Sequence, residues 1–565
     1  MTRRARLKGV AASIGVAVGP ARVIGRERGR FSHRRIEESA VPSELARFEQ
    51  AVERSRAEIE DAKRELAQQH GSSYAAILDV HLLMHGDALL IDSIYEAIRN
   101  DRINAEWALS RVTEQLKKPL LEGPSAYFRE RAGDIEHVGQ HLLRHLCGGQ
   151  RRESPPDEPT VVIAHDLTPA DAVHALAPPT VGLVTEMGAA SSHTAILART
   201  FGVPAVVGVG PLPKIDDDEV VLVNGFSGEV TVGATLEERR EAGMRRDRFT
   251  SLLMAERATE AVTREGVSIS VAANVELCSE VRAVLESGAD GIGLYRTEFM
   301  CLGQAEPPSE DAQAELYRDV IHAMTPKRVV FRTFDWRGDK RLEAHDLHGR
   351  ERTWLKTQLK ALLRACPAQS IALMFPMVAT LEEFLDAKTL VDECRSDLGN
   401  EIARSAELSV GMMVEVPSAA LLADRFTEHV DFFAVGTNDL AHYTLGLDRH
   451  DGRSLADPLD PSVLMLLERV ITVASDAGVP CSVCGDMVAD PIALALVLGF
   501  GCREISVPVS VVPLARAVIR RLDLEVAAEA ARDALEGSSA EAVRELVADR
   551  LGTSLGALWT EPGFV

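Results

Sequence analysis

Five strand-like apolar runs in the second half of the chain end on residues that can grip an anion, hold a metal or move a proton. Residues 291–295 lead into Arg296-Thr297-Glu298, 329–331 into Arg332-Thr333, 410–414 into Glu415, 432–435 into Gly436-Thr437-Asn438-Asp439, and 481–483 into Cys484-Gly485-Asp486. Arg296 and Arg332 can bind a phosphate by forked hydrogen bonds, and Arg449, in the loop after the run at 432–435, offers a third clamp. Glu415 and Asp439 supply hard oxygen ligands of the kind Mg²⁺ takes, with water and substrate oxygens filling the shell. Any one of these groups alone reads as a rim salt bridge; five together suit one small, highly charged anion. Cys481 and Cys484 form a single C-x-x-C, a weak zinc or redox signal without a second pair. Cys484, at a strand end, reads better as a proton donor, and Cys481 as a buried core thiol.

A second centre lies at 188–199, where Gly-Ala-Ala-Ser-Ser gives way to His193 and a helical run. A histidine at a helix start faces free backbone N–H groups that suit an anion, and neutral imidazole is a competent nucleophile. A structural role or metal ligation remains open, although no second histidine or cysteine stands at a ligand spacing from it. Thr168-Pro169-Ala170-Asp171 is first of all a helix start, with a threonine cap, proline in the first turn and an acidic residue closing a capping box.

These residues need rigid elements behind them. Eight apolar runs, at 268–273, 291–295, 329–331, 372–377, 410–414, 432–435, 481–483 and 504–507, alternate with helical stretches, the last excepted. Eight such units make a closed (β/α)₈ TIM barrel, whose site lies at the carboxyl ends of its strands. Ahead of it, 36–147 is helical in period, while 148–233 carries short β-branched runs at 161–164, 180–184, 203–209, 220–223 and 229–232. A first strand within 11–24 makes the bundle an insertion in a discontinuous α/β domain, 1–35 with 148–233. Residues 234–263 then form a solvated linker helix before the barrel at 264–565, a multidomain α/β architecture.

With 565 residues, several cores are expected. A net charge of −23, spread along the chain, argues against nucleic acid as a partner. Eight irregularly spaced cysteines read as reduced thiols and place the chain in the cytoplasm. The basic 1–8 and apolar 10–18 imitate a secretory leader, but Ser13 and Gly15 interrupt the apolar part and it runs on into strand-like sequence. No run approaches the length of a membrane-spanning helix, so no membrane insertion is expected.

On the motifs at 9–15, 166–169, 192–194, 291–299, 414–417 and 436–440, the chain resembles enzyme I of the bacterial phosphoenolpyruvate-dependent sugar phosphotransferase system, over nearly its whole length. The resemblance implies that His193 is the phosphorylated histidine, with Thr168 hydrogen-bonded near it. It implies that Arg296, Arg332, Asn438 and Arg449 hold phosphoenolpyruvate, that Glu415 and Asp439 bind Mg²⁺, and that Cys484 protonates the enolate to give pyruvate. The bundle would dock the histidine-containing phosphocarrier protein, and the barrel would form a homodimer. Pyruvate phosphate dikinase and phosphoenolpyruvate synthase share these parts, but the nucleotide-binding region they need has no room here. One departure stands out: after Arg332 the family's glycine-rich turn and Asn-Pro segment give way to Thr333-Phe334-Asp335-Trp336-Arg337-Gly338, and 341–354 is shortened. Arg337, Arg350 or Arg352 are the candidates to restore the missing charge. A catalytically impaired relay or regulatory homologue is the alternative this departure raises.

Overall fold

The computed structural model describes residues 4–24, 32–70, 78, 82, 84–121, 126–148, 158–188, 192–217, 219–257, 259–301, 307–334, 347–365, 371–399, 408–447 and 456–555. The chain divides into two compact units, Met1–Phe249 and Thr250–Val565.

The first unit joins a helical bundle to an eight-stranded sheet. In α1 (Val41–His70), Phe48, Ala51, Ser55, Ile59, Ala62 and Leu66 recur at intervals of three or four and are all buried, the stripe expected of a bundle helix. It packs with α2 (Ala88–Asp101), α3 (Ala105–Leu121) and α4 (Ala126–Leu146) around Phe48, Ile94, Ile98, Leu109, Val138 and Leu142.

The strands are β1 (Ala5–Lys8), β2 (Val10–Ser13), β3 (Val16–Ile24), β4 (Thr160–Ala164), β5 (Thr180–Thr185), β6 (Ala205–Val207), β7 (Val220–Asn224) and β8 (Glu229–Val232). Their order across the sheet is β1-β8-β7-β3-β4-β5-β6-β2. The strand expected within 11–24 is present as β3, but it is not the first: β1 and β2 precede it, and β2 lies far from β3 in the sheet. Gly15, at φ 130°, makes the break: β2 pairs with β6 at one edge, whereas β3 lies centrally between β7 and β4. The bundle enters between β3 and β4, as its place in the sequence requires. Two helices follow strands of this sheet, α5 (Pro169–Leu176) after β4 and α6 (His193–Phe201) after β5.

Helix α7 spans Leu236–Glu256 and stops short of residue 263. Glu256 is 7% exposed and paired with Arg520 and Arg521, and the Thr259 hydroxyl caps its carbonyl at 2.9 Å. Beyond it, Val262 bridges Ser268 in extended conformation, which a continuing helix could not do.

The second unit contains the barrel: β9 (Ser270–Val275), β10 (Ile292–Arg296), β11 (Val329–Arg332), β12 (Ile371–Phe375), β13 (Leu408–Val414), β14 (Phe433–Gly436), β15 (Cys481–Cys484) and β16 (Glu504–Pro508). All pairings are parallel, and β16 closes on β9. Strong caps start its helices: the Ser309 hydroxyl for Glu310–Met324, a Thr380–Glu383 capping box for Leu381–Leu398 and Asp460 for Pro461–Ala477. The last strand also precedes a helix, Val512–Ile519, whose residues are all buried. Only Val509–Val511 stands between it and β16, so no long polar loop announces it in the sequence. Among the described residues no helix is long and apolar enough to cross a membrane.

Candidate active site

Arg296, Arg332, Glu415, Asn438, Asp439 and Cys484 sit at or just past the carboxyl ends of strands, whereas Cys481 opens β15 and is only partly buried, and Arg352 lies within the helix Leu347–Ala365. Arg296 ends β10 and Arg332 ends β11, on neighbouring strands paired residue to residue. Arg296 donates from Nη1 to Glu276 Oε1 at 3.0 Å, and its Nε is buried without a hydrogen-bond partner. A buried unsatisfied donor costs about 1–3 kcal/mol, so this one is poised for an anion. Arg332 forms an ion pair with Glu298 and donates from Nη1 toward Met413 Sδ at 3.8 Å.

Behind these arginines runs a buried relay. Gln358 Nε2 donates to Thr297 Oγ1 at 2.7 Å, and Thr297 donates to the Arg332 carbonyl at 2.7 Å, fixing the β10 and β11 ends together.

Glu415, just past β13, is 1% exposed. Its Oε1 accepts from the Met377 N–H at 2.6 Å, and Met377 holds φ 55°, a left-handed conformation rare for a non-glycine residue. The same turn ends β12 at Phe375, two residues before the expected limit. Gly436 leaves room for the carboxylate, since a Cβ there would lie 2.9 Å from Glu415 Oε2.

Asp439 lies in the first turn of Thr437–Leu445, where the helix dipole favours a carboxylate. Asn438 is held by Asp486 at both ends: Nδ2 donates to Oδ2 at 3.0 Å and Oδ1 accepts from the Asp486 N–H at 3.0 Å.

Cys484 is 3% exposed and donates to the Val435 carbonyl at 3.4 Å. Burial, then the nearby Glu415 carboxylate, pushes its thiol up to about 12, against the opposing pull of Arg296 and Arg332; Asp439 adds to the rise. The thiol therefore keeps its proton through the physiological range and can give it only to a strong base such as an enolate. Arg449 and 335–346, including Asp335 to Arg337, lie outside the described residues. Arg352 is half-exposed on the helix Leu347–Ala365 and pairs there with Glu393 at 3.2 Å.

In the first unit, Ser192 caps α6 by accepting from the Ala195 N–H at 3.3 Å, which puts His193 at the first helical position; the His193 side chain lies outside the described residues. Thr194 donates to the Leu167 carbonyl at 3.4 Å, tying this helix start to that of α5. Thr168 caps α5 as expected, accepting from the Asp171 N–H at 3.1 Å and donating to Asp171 Oδ2 at 2.7 Å. Its only proton is thus engaged by Asp171, and a neighbouring imidazole N–H could use it only as an acceptor.

The sequence reading omitted Glu276, Met377 and Gln358. Glu276 obeys the same strand-end rule, but the apolar run at 268–273 stops short of the strand's end at Val275. Met377 acts through its backbone and Gln358 from mid-helix, positions that carry no motif.

Comparison with known proteins agrees with this geometry. Three domain families match in chain order: "PEP-utilising enzyme, N-terminal" over residues 8–131, "PEP-utilising enzyme, mobile domain" over 156–228 and "PEP-utilising enzyme, PEP-binding domain" over 251–524. The last covers the barrel and all its clustered residues. The fold and site define a PEP-utilising enzyme.

The phosphoenolpyruvate-protein phosphotransferase of Staphylococcus carnosus (strain TM300) is 36% identical over 565 residues, covering 96% of this chain and 98% of that protein. The one from Listeria monocytogenes serovar 1/2a is 36% identical over 567 residues with the same coverage. The chain belongs to the phosphoenolpyruvate-protein phosphotransferase family. A solution NMR structure of Enzyme I (nEIt) is 33% identical and covers 43% of this chain and 99% of its own, with a TM-score of 0.37.

Proposed function

We propose that the chain transfers the phosphoryl group of phosphoenolpyruvate to His193 and then to the histidine-containing phosphocarrier protein, the first step of sugar uptake and phosphorylation in the cytoplasm. The observation that carries this reading is the gathering of Arg296, Arg332, Glu415, Asp439 and the buried Cys484 at the carboxyl ends of the strands of one barrel.

Arg296 and Arg332 bind the phosphate, with Asn438 and Arg449 completing the grip on the substrate. Two carboxylates at neighbouring strand ends form a hard-oxygen donor set that fits Mg²⁺, so Glu415 and Asp439 would hold it, where it would neutralise phosphate charge. The imidazole of His193 attacks phosphorus, the bond from phosphorus to the enol oxygen breaks, and the enolate leaves. Cys484 gives its proton to the methylene carbon, producing pyruvate, and regains one from water. Thr168 steadies the histidine centre.

Because His193 and the barrel lie in different units, the cycle requires the His193 domain to visit the barrel and depart, with the segment around α7 as the hinge region. The bundle docks the phosphocarrier. Exposed Leu421, Leu422 and Met465, on neighbouring helices of the barrel unit, support dimerisation through that unit.

A single-turnover assay with phosphoenolpyruvate and Mg²⁺ tests this. Pyruvate and acid-labile phosphate should form in equal amounts, and the phosphate should be absent from His193→Ala. Neither product from folded, dimeric protein would sink the reading in favour of a relay homologue disabled by its short segment after Arg332.

A further inference from the structure

We infer that the helical bundle carries a site for a borderline divalent transition-metal ion, of the Zn²⁺ type, built from Glu58 of α1 and His141 and His145 of α4. Their ligand atoms all lie within 4.8 Å of one another, the one such group of three among the described residues. His141 and His145 are one turn apart on the same helix, the i, i+4 spacing by which two imidazoles share an ion, and Glu58 faces them from the neighbouring helix.

His141 is 3% exposed, and its Nε2 has no hydrogen-bond partner; the same holds for Nε2 of His145. Both nitrogens nonetheless face one oxygen, Glu58 Oε2, at 3.6 Å and 2.8 Å respectively, without hydrogen-bond alignment. Two imidazole nitrogens and a carboxylate oxygen thus converge on one place, where the guanidinium within reach, that of Arg144, is shared with Asp171.

The surroundings prepare the ligands. Ser55 Oγ lies 2.5 Å from His141 Nδ1, and His85 Nε2 lies 3.4 Å from the same atom. A proton on Nδ1 given to Ser55 leaves the lone pair on Nε2, the usual way an outer partner orients a metal-binding histidine. Two nitrogens and one carboxylate suit Zn²⁺, Co²⁺ or Ni²⁺ and not Mg²⁺, and three protein ligands leave a fourth position open. Arg144 also reaches Glu58, at 3.3 Å, but its shorter bond is to Asp171 Oδ1 at 2.7 Å. Asp171 in turn holds Thr168, so an ion on Glu58 would be felt at the start of α5.

The site is independent of the barrel chemistry, and the test keeps the two apart. Full-length chain is dialysed against Zn²⁺ in excess Mg²⁺, which satisfies hard-oxygen sites. One equivalent of Zn²⁺ should remain, with imidazole nitrogen and no sulfur in its X-ray absorption. His145→Gln, on a partly exposed position, and Glu58→Gln should each weaken it by about tenfold or more, with folding checked by circular dichroism, while Glu415→Gln leaves it unchanged. Retention of no Zn²⁺ by the wild type would show that Arg144 and the two imidazoles satisfy Glu58 without an ion. Sulfur ligation, or undiminished binding in both bundle variants, would place the ion elsewhere; each result overturns the inference.

Discussion

Met377 donates its backbone N–H to Glu415 Oε1 at 2.6 Å from a left-handed conformation, so one strained turn after β12 aims a carboxylate that belongs to β13. Glutamine at 415 keeps an acceptor for that N–H and removes the charge. Glu415→Gln should therefore fold normally and lose about 10²–10³-fold in turnover, the scale of losing one aligned electrostatic group. Pyruvate release at saturating phosphoenolpyruvate and varied Mg²⁺ is the measurement, and an unchanged Mg²⁺ dependence would contradict the assignment.

Gly485 has φ 109°, and a Cβ there would stand 2.3 Å from Thr437 Oγ1 and 2.9 Å from Asn438 Oδ1. Gly485→Ala should cost about 1–3 kcal/mol of stability and break the Asn438–Asp486 clasp. Thermal unfolding and the KM for phosphoenolpyruvate would report the two effects; a silent variant would mean the clasp moves freely.

Arg332→Lys keeps the charge and loses the fork that pairs with Glu298 and that the proposed function turns toward the substrate. The KM for phosphoenolpyruvate should rise about tenfold or more. Steady-state kinetics that left KM unaltered would remove Arg332 from the phosphate grip.

Burial pushes the thiols of Cys484 and Cys502 up to about 12 from an ordinary value near 9. A folded-state value raised above the unfolded one means the stabilisation is complete below pH 9 and lost as pH climbs toward 12. Each thiol accounts for on the order of 4 kcal/mol across the whole window. Denaturant titrations at pH 8 and 10.5 should show falling stability, and Cys502→Ala should lose roughly 2 kcal/mol less over that interval. An equal loss would mean Cys502 ionises without penalty.

The barrel was legible because buried parallel strands are short apolar runs, five of which end on side chains able to do chemistry, as at Arg296, Arg332, Glu415 and Cys484. The inserted bundle was legible for a related reason: the change from helical period to β-branched runs marks both its ends. What escaped notice acts through the backbone or through partners distant in sequence. Nothing local announces that Gly15 sends β2 and β3 to separate places, or that Glu256 ends α7 by meeting Arg520 and Arg521. The histidines of α4 were passed over because their partner, Glu58, lies on another helix, and spacing within one helix gives only half of such a cluster.

The insertion point of the bundle governs how the first unit assembles. Strands β3 and β4 are hydrogen-bonded neighbours, Ala21 opposite Val161, yet the whole bundle lies between them in the chain. Closing so long a loop has an entropic cost that a compact, already folded insert reduces. The chain order therefore predicts that the centre of the sheet zips late, after the bundle has brought its two ends together; β3 and β4 amides protected earlier than those of the bundle in pulsed hydrogen exchange would contradict it.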